Sequence, residues 1–130
     1  MKLITRDTDY AIRALIYIAR AKKKVVSVSK MANELSIPRP FLRKNLQLLD
    51  KEGIVKSYKG KGGGFVLRLA PERIFVLDLI RIFQGQFKLN ECFLRKHLCP
   101  HMKHCVLKQK IDGIEKYVVK KLASINIAHL

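Results

Sequence analysis

The sequence predicts a mainly α-helical fold with one small β-hairpin: a winged helix-turn-helix followed by a long C-terminal dimerisation helix. Three observations carry that expectation. Two short amphipathic stretches, Val28 to Leu35 and the basic segment opening at Pro38 to Pro40, are parted by the tight turn Ser36-Ile37. A stop at Gly53 leads into two strand-like runs on either side of KGKGGG. Far downstream, Val106, Leu107, Ile111, Ile114, Val118, Leu122 and Ile125 form a helical stripe with nothing left in the chain to cover all of it.

Taken in order, the first helix runs from Thr8 to Ala21. Ala11, Ala14, Leu15 and Ile18 make one apolar face, and Ile12 and Ile16 widen it, so the helix is expected to be buried on two sides, against a partner subunit or a later helix. Arg20, Lys22, Lys23 and Lys24 close it and read as a solvated basic loop. In the second helix Met31, Ala32 and Leu35 face inward, with Ser27 or Ser29 as the cap. In the third, Leu42, Leu46 and Leu49 pack while Arg39, Arg43 and Gln47 point away, one face for the core and one to read a surface. Pro38 and Pro40 fall in its first turn, where a missing N–H costs nothing. Ile54, Val55 and Tyr58, then Phe65, Val66, Leu67 and Leu69, are the strands, and four glycines between them suit a turn needing positive φ or close approach. Ala70 to Glu72 connects to a core helix marked by Val76, Leu79, Ile80 and Phe83 and stopped at Gly85.

A helix-turn-helix followed by a basic hairpin lays its second helix in the major groove of double-stranded DNA. Composition agrees. The chain of 130 residues has a formal net charge of +17 and a pI near 10.2, which calls for a polyanionic partner, and it lacks the aromatic platform of a single-strand binder. The candidate DNA-binding residues are Arg39, Pro40, Arg43, Lys44 and Gln47 on the helix and Lys59 and Lys61 on the wing. No apolar run is long enough to span a membrane, and the acidic start is unlike a signal peptide, so the expected location is cytoplasmic. Paired catalytic carboxylates, a nucleotide-binding glycine fingerprint and a Ser/His/Asp set are all missing, which argues against an enzyme.

Cys92, Cys99 and Cys105 are spaced C-x6-C-x5-C among His97, His101 and His104. Three cysteines without an export signal do not suit a secreted disulfide framework. Three thiolates from one loop can hold an iron-sulfur cluster or, with a histidine, zinc; a metal-free regulator working by thiol redox chemistry is the remaining option.

The order TDYAIRALIYIA, SKMANELSIPRPFL, GIVKSYKGKGGGFVL, then three cysteines before a C-terminal helix, resembles the Rrf-two family of bacterial winged-helix regulators, the family of IscR and NsrR, over the whole chain. The resemblance implies a homodimeric transcription regulator, chiefly a repressor, whose operator binding follows a two-iron or four-iron cluster on Cys92, Cys99 and Cys105 that senses redox state, nitric oxide or iron status. For the fourth ligand, the IscR-type histidine position is Lys108 here, whereas the aspartate of NsrR-type members matches Asp9 of TDYA. The family's wing commonly reads Arg-Gly-Pro-Gly-Gly-Gly-Tyr; this chain places Lys59, Lys61 and Phe65 there. The expected organisation is a DNA-binding unit over 1–85, a cysteine loop over 86–105 and a dimerisation helix over 106–130.

Overall fold

A computed structural model of the chain describes residues 2–89 and 104–130; Cys92, Cys99, His97 and His101 lie outside the described residues. The element order is α1 (Arg6–Arg20), α2 (Val28–Leu35), α3 (Arg39–Lys51), β1 (Val55–Tyr58), β2 (Gly64–Leu67), a 3₁₀ turn at Pro71–Arg73, α4 (Val76–Gln84), α5 (Val106–Ala123) and a closing 3₁₀ turn at Ile127–His129. This is the helical fold with a two-stranded antiparallel wing that the sequence predicts.

Helix α1 is the hub. It starts two residues earlier than its apolar pattern indicates, because Thr8 is buried and joins the N-terminal turn to α4: Gln84 Oε1 accepts from the Thr5 amide at 3.0 Å and from the Thr8 hydroxyl at 2.7 Å. Gln84 Nε2 completes the clasp by donating to the Leu3 carbonyl at 3.3 Å. Ala11, Ile12, Ala14, Leu15 and Ile18 are buried, and the helix packs on α2, α3, α4 and the wing. The wide apolar face is therefore covered by later elements of its own chain.

Ser27 supplies the α2 cap, accepting from the Lys30 amide at 3.2 Å, and the turn to α3 is made by Ser36 in the left-handed region at φ 55°, ψ 40°. Leu42, Leu46 and Leu49 of α3 are fully buried, each side chain contributing roughly 1.5–3 kcal/mol. Between them Asn45, also buried, donates Nδ2 to the Asp7 carbonyl at 3.2 Å and fixes α3 against the start of α1. Such a group needs its partner, since a buried amide left unpaired costs about 1–3 kcal/mol.

In the wing, Val55 pairs with Leu67 and Tyr58 with Gly64. Ile54 and Leu69 lie just outside the strands. Val26 adds a third, single-residue strand, exchanging both backbone hydrogen bonds with Phe65 at 2.9 and 2.8 Å. A Cβ at Gly64 would stand 2.0 Å from the Val26 carbonyl oxygen, so that contact allows only glycine. Phe65, buried, anchors the hairpin to the core.

The long C-terminal stripe divides. Leu122 is buried, Val118, Val119 and Ile125 pack partly against the core, while Leu107 and Ile114 are exposed. Helix α5 ends at Ala123, and beyond it the chain turns inward: the Val76 amide donates to the Ile125 carbonyl at 2.9 Å, and the Ile127 amide to the Ile74 carbonyl at 2.9 Å. Ile127 thus enters the same core as α1 and α4, so the end of the segment 106–130 is built into the unit 1–85.

Candidate nucleic-acid interface

The basic face of α3 and the wing enclose one groove of about 500 Å³. Arg39, Arg43 and Gln47 line one wall, Lys59 and Gly60 of the wing the other, and Ser27 and Ser29 at the start of α2 close the end. Four of the predicted residues are brought together. Pro40 and Lys44 line a separate depression on α3, together with Arg39, Arg43 and Gln47. Lys61 is exposed at the hairpin tip and does not line the groove. Arg39, Arg43, Lys44, Lys59 and Lys61 take part in none of the ion pairs among the described residues, so their charge faces outward unneutralised.

Sequence reasoning missed part of this wall. Asp50 and Tyr58 line it, and Asp50 accepts the Ser57 hydroxyl at 3.2 Å, tying the last turn of α3 to β1. Lys56 Nζ lies 5.2 Å from the centre of the Tyr58 ring, a cation-aromatic contact that holds the half-exposed ring in place. The alternation of β1 put Tyr58 on its outer face and carried that signal. Nothing local in the sequence marked Asp50.

Of the metal-ligand candidates, Cys105 and Asp9 lie among the described residues. Cys105 caps α5, its Sγ accepting from the Lys108 amide at 3.4 Å. Lys108 in turn pairs its ammonium with Asp112, in keeping with a position that offers no ligand. The Asp9 carboxylate accepts from Arg13 Nε at 2.9 Å; both groups are about half exposed, and such a surface pair contributes only ~0–1 kcal/mol, which leaves the carboxylate readily exchanged. Among the described residues, no group of three His, Cys, Asp or Glu is assembled.

Helix-turn-helix, wing and basic groove are those of a DNA-binding protein, and the pattern of one family spans them: Rrf2, described as iron-dependent transcriptional regulator, matches residues 4–130. The chain belongs to the Rrf2, or Rrf-two, family. NsrR of Bacillus licheniformis, a helix-turn-helix-type transcriptional regulator, is 36% identical over 125 residues, covering 95% of this chain and 82% of the relative. Among solved structures, IscR of T. potens is 26% identical with a TM-score of 0.74 over 98% of this chain and 84% of its own. CymR, the global cysteine regulator of B. subtilis, shares the fold with a TM-score of 0.79 at 24% identity over 98% of this chain and 95% of its own. This Rrf2-family protein is a DNA-binding transcriptional regulator and not an enzyme. No helix among the described residues is long and apolar enough to cross a membrane.

Proposed function

We propose that this Rrf2-family regulator binds a pseudo-palindromic operator as a homodimer, acts as a repressor, and has its affinity set by an iron-sulfur cluster. The groove uniting Arg39, Arg43 and Gln47 with Lys59 carries the DNA part. In it Arg43 and Gln47 read base edges from α3, Arg39, Pro40 and Lys44 position the helix, and Lys59 and Lys61 hold phosphates. Arg43→Ala is expected to cost about 1–3 kcal/mol on the operator and less on random DNA, whereas Lys59→Ala weakens both alike and lowers the salt slope by about one. An unchanged ratio of operator to random affinity for Arg43→Ala would refute these roles.

For the dimer, the exposed Val106, Leu107, Ile114 and Tyr117 on α5 supply the subunit face. Two such subunits must present their α3 helices about 34 Å apart, one turn of DNA.

Cys92, Cys99 and Cys105 would hold a two-iron or four-iron cluster, with Asp9 of the partner completing the set. The donor chemistry fits: three soft thiolates, and one harder carboxylate that is accessible on α1. Such a cluster would supply a response to redox state, nitric oxide or iron. Asp9 lies two residues after Asp7 in the first turn of α1, and the Asp7 carbonyl holds Asn45 of α3, so movement at this end of α1 would be passed to the reading helix. Iron and acid-labile sulfide analysis of an anaerobic preparation tests the cluster, and Asp9→Ala is expected to change its spectrum and hasten its loss. If that variant is unaltered while His101→Ala or His104→Ala changes the spectrum, the fourth ligand is a histidine.

A zinc-bound or metal-free regulator using thiol redox chemistry is the second reading. It is favoured by the cap position of the Cys105 thiol and by the fold shared with a cysteine regulator. Colourless protein without iron or sulfide decides for it.

A further inference from the structure

A second and larger groove, about 740 Å³, lies across the wing from the first. Its basic residues are Arg20, Lys22 and Lys24 at the end of α1 and in the loop behind it, with Lys30 from the first turn of α2. Gly62 and Gly63 of the wing tip form its far edge. Ser27 and Gly63 line both grooves, so the two basic surfaces meet at the wing tip and the cap of α2. None of the four cations is in an ion pair among the described residues. Tyr17 of the lining donates its hydroxyl to Glu34.

The backbone adds a second observation. Lys22 and Lys23 both sit in the left-handed region, at φ 49° and 68°. Glycine or asparagine holds that conformation at lower cost than lysine. One cation at the C-terminus of α1 would be enough to complement its dipole, and Lys30, on another helix, has no part in that. Charge is kept here where the backbone favours a different residue.

We propose that this second groove holds the sugar-phosphate backbone of duplex DNA flanking the operator, so that each subunit grips DNA on both sides of its wing. The inference rests on the operator-binding reading above. Continuity with the first groove and the density of unpaired cations favour a long polyanion over a small anion.

The test uses the full-length protein and a duplex it has itself selected from a random pool. One form is trimmed to the selected core, and one is extended by a helical turn, about 10 base pairs, at each end. Wild-type protein should bind the extended form about tenfold more tightly, with a salt slope steeper by about 2–4 as further phosphates are neutralised. Lys22→Ala combined with Lys24→Ala and Lys30→Ala should remove most of that difference. Lys22→Gly should narrow it while keeping or raising the thermal midpoint, since glycine relieves the left-handed backbone. Equal loss on both duplexes, a difference that survives the triple variant, or a midpoint that falls with Lys22→Gly overturns the second groove while leaving the operator reading intact. Wild-type protein that selects no duplex over random DNA sinks both.

Discussion

Helices α3 and α5 are both amphipathic by sequence, yet they end in opposite situations. The 13 residues of α3 bury Leu42, Asn45, Leu46 and Leu49 in their own chain, whereas the 18 residues of α5 bury Leu122 alone among its described residues. Upstream of it, Val106, Leu107, Ile114 and Tyr117 face outward. Complete packing and Asn45 fix α3, as the base-reading role proposed for it requires. The outer apolar residues of α5 stay open in the single chain, and in the homodimer proposed above a second subunit would cover them. The difference separates residues that hold the single chain together from those that the proposed dimer would use.

The largest effects should fall on α3. Leu46→Ala, which empties a fully buried site, is expected to cost about 2–5 kcal/mol in denaturant unfolding. Ile114→Glu on α5 should leave the fold intact and give monomer by sedimentation, with operator binding weakened. A stable dimer there would break the contrast.

Two glycines sharpen it at the backbone. At Gly64 an added methyl meets the Val26 carbonyl, so Gly64→Ala should destabilise by roughly 2–4 kcal/mol and detach Val26 from the wing. At Gly113 of α5 an added methyl meets nothing within 4 Å. There Gly113→Ala should stabilise by about 0.5–1 kcal/mol, measured in the Ile114→Glu background so that subunit contacts do not enter.

The smallest effect concerns Tyr17, whose pKa is raised above the usual tyrosine value by the hydrogen bond it donates to Glu34, helped by burial and by the carboxylate's charge. A raised value means the protonated form is favoured in the folded state, so the stability it contributes is complete below the unfolded tyrosine pKa and is lost as pH climbs through the folded one. Thermal midpoints between about pH 9 and 11 should fall less steeply for Tyr17→Phe than for wild type. Equal slopes would show that the α1–α2 contact does not depend on this hydroxyl.

The sequence by itself determined the helix-turn-helix, the wing and the basic face of α3. Those rest on signals within a few residues of one another: leucines at helical spacing, a cap at Ser27, prolines in a first turn, and glycines where φ must turn positive. It also determined the family, because the order of such segments is itself a sequence property. What decided the rest was contact between distant residues. Asn45 is an anchor because Asp7, 38 positions away, offers a carbonyl, and Gln84 reaches 79 positions back to Thr5. Gly64 is obligatory because Val26 passes behind it. A single amphipathic stripe cannot say which of its residues meet its own core, so only the folded chain divides α5 into a buried end and an open one. The same holds for the two grooves, whose walls come from segments that no local pattern links.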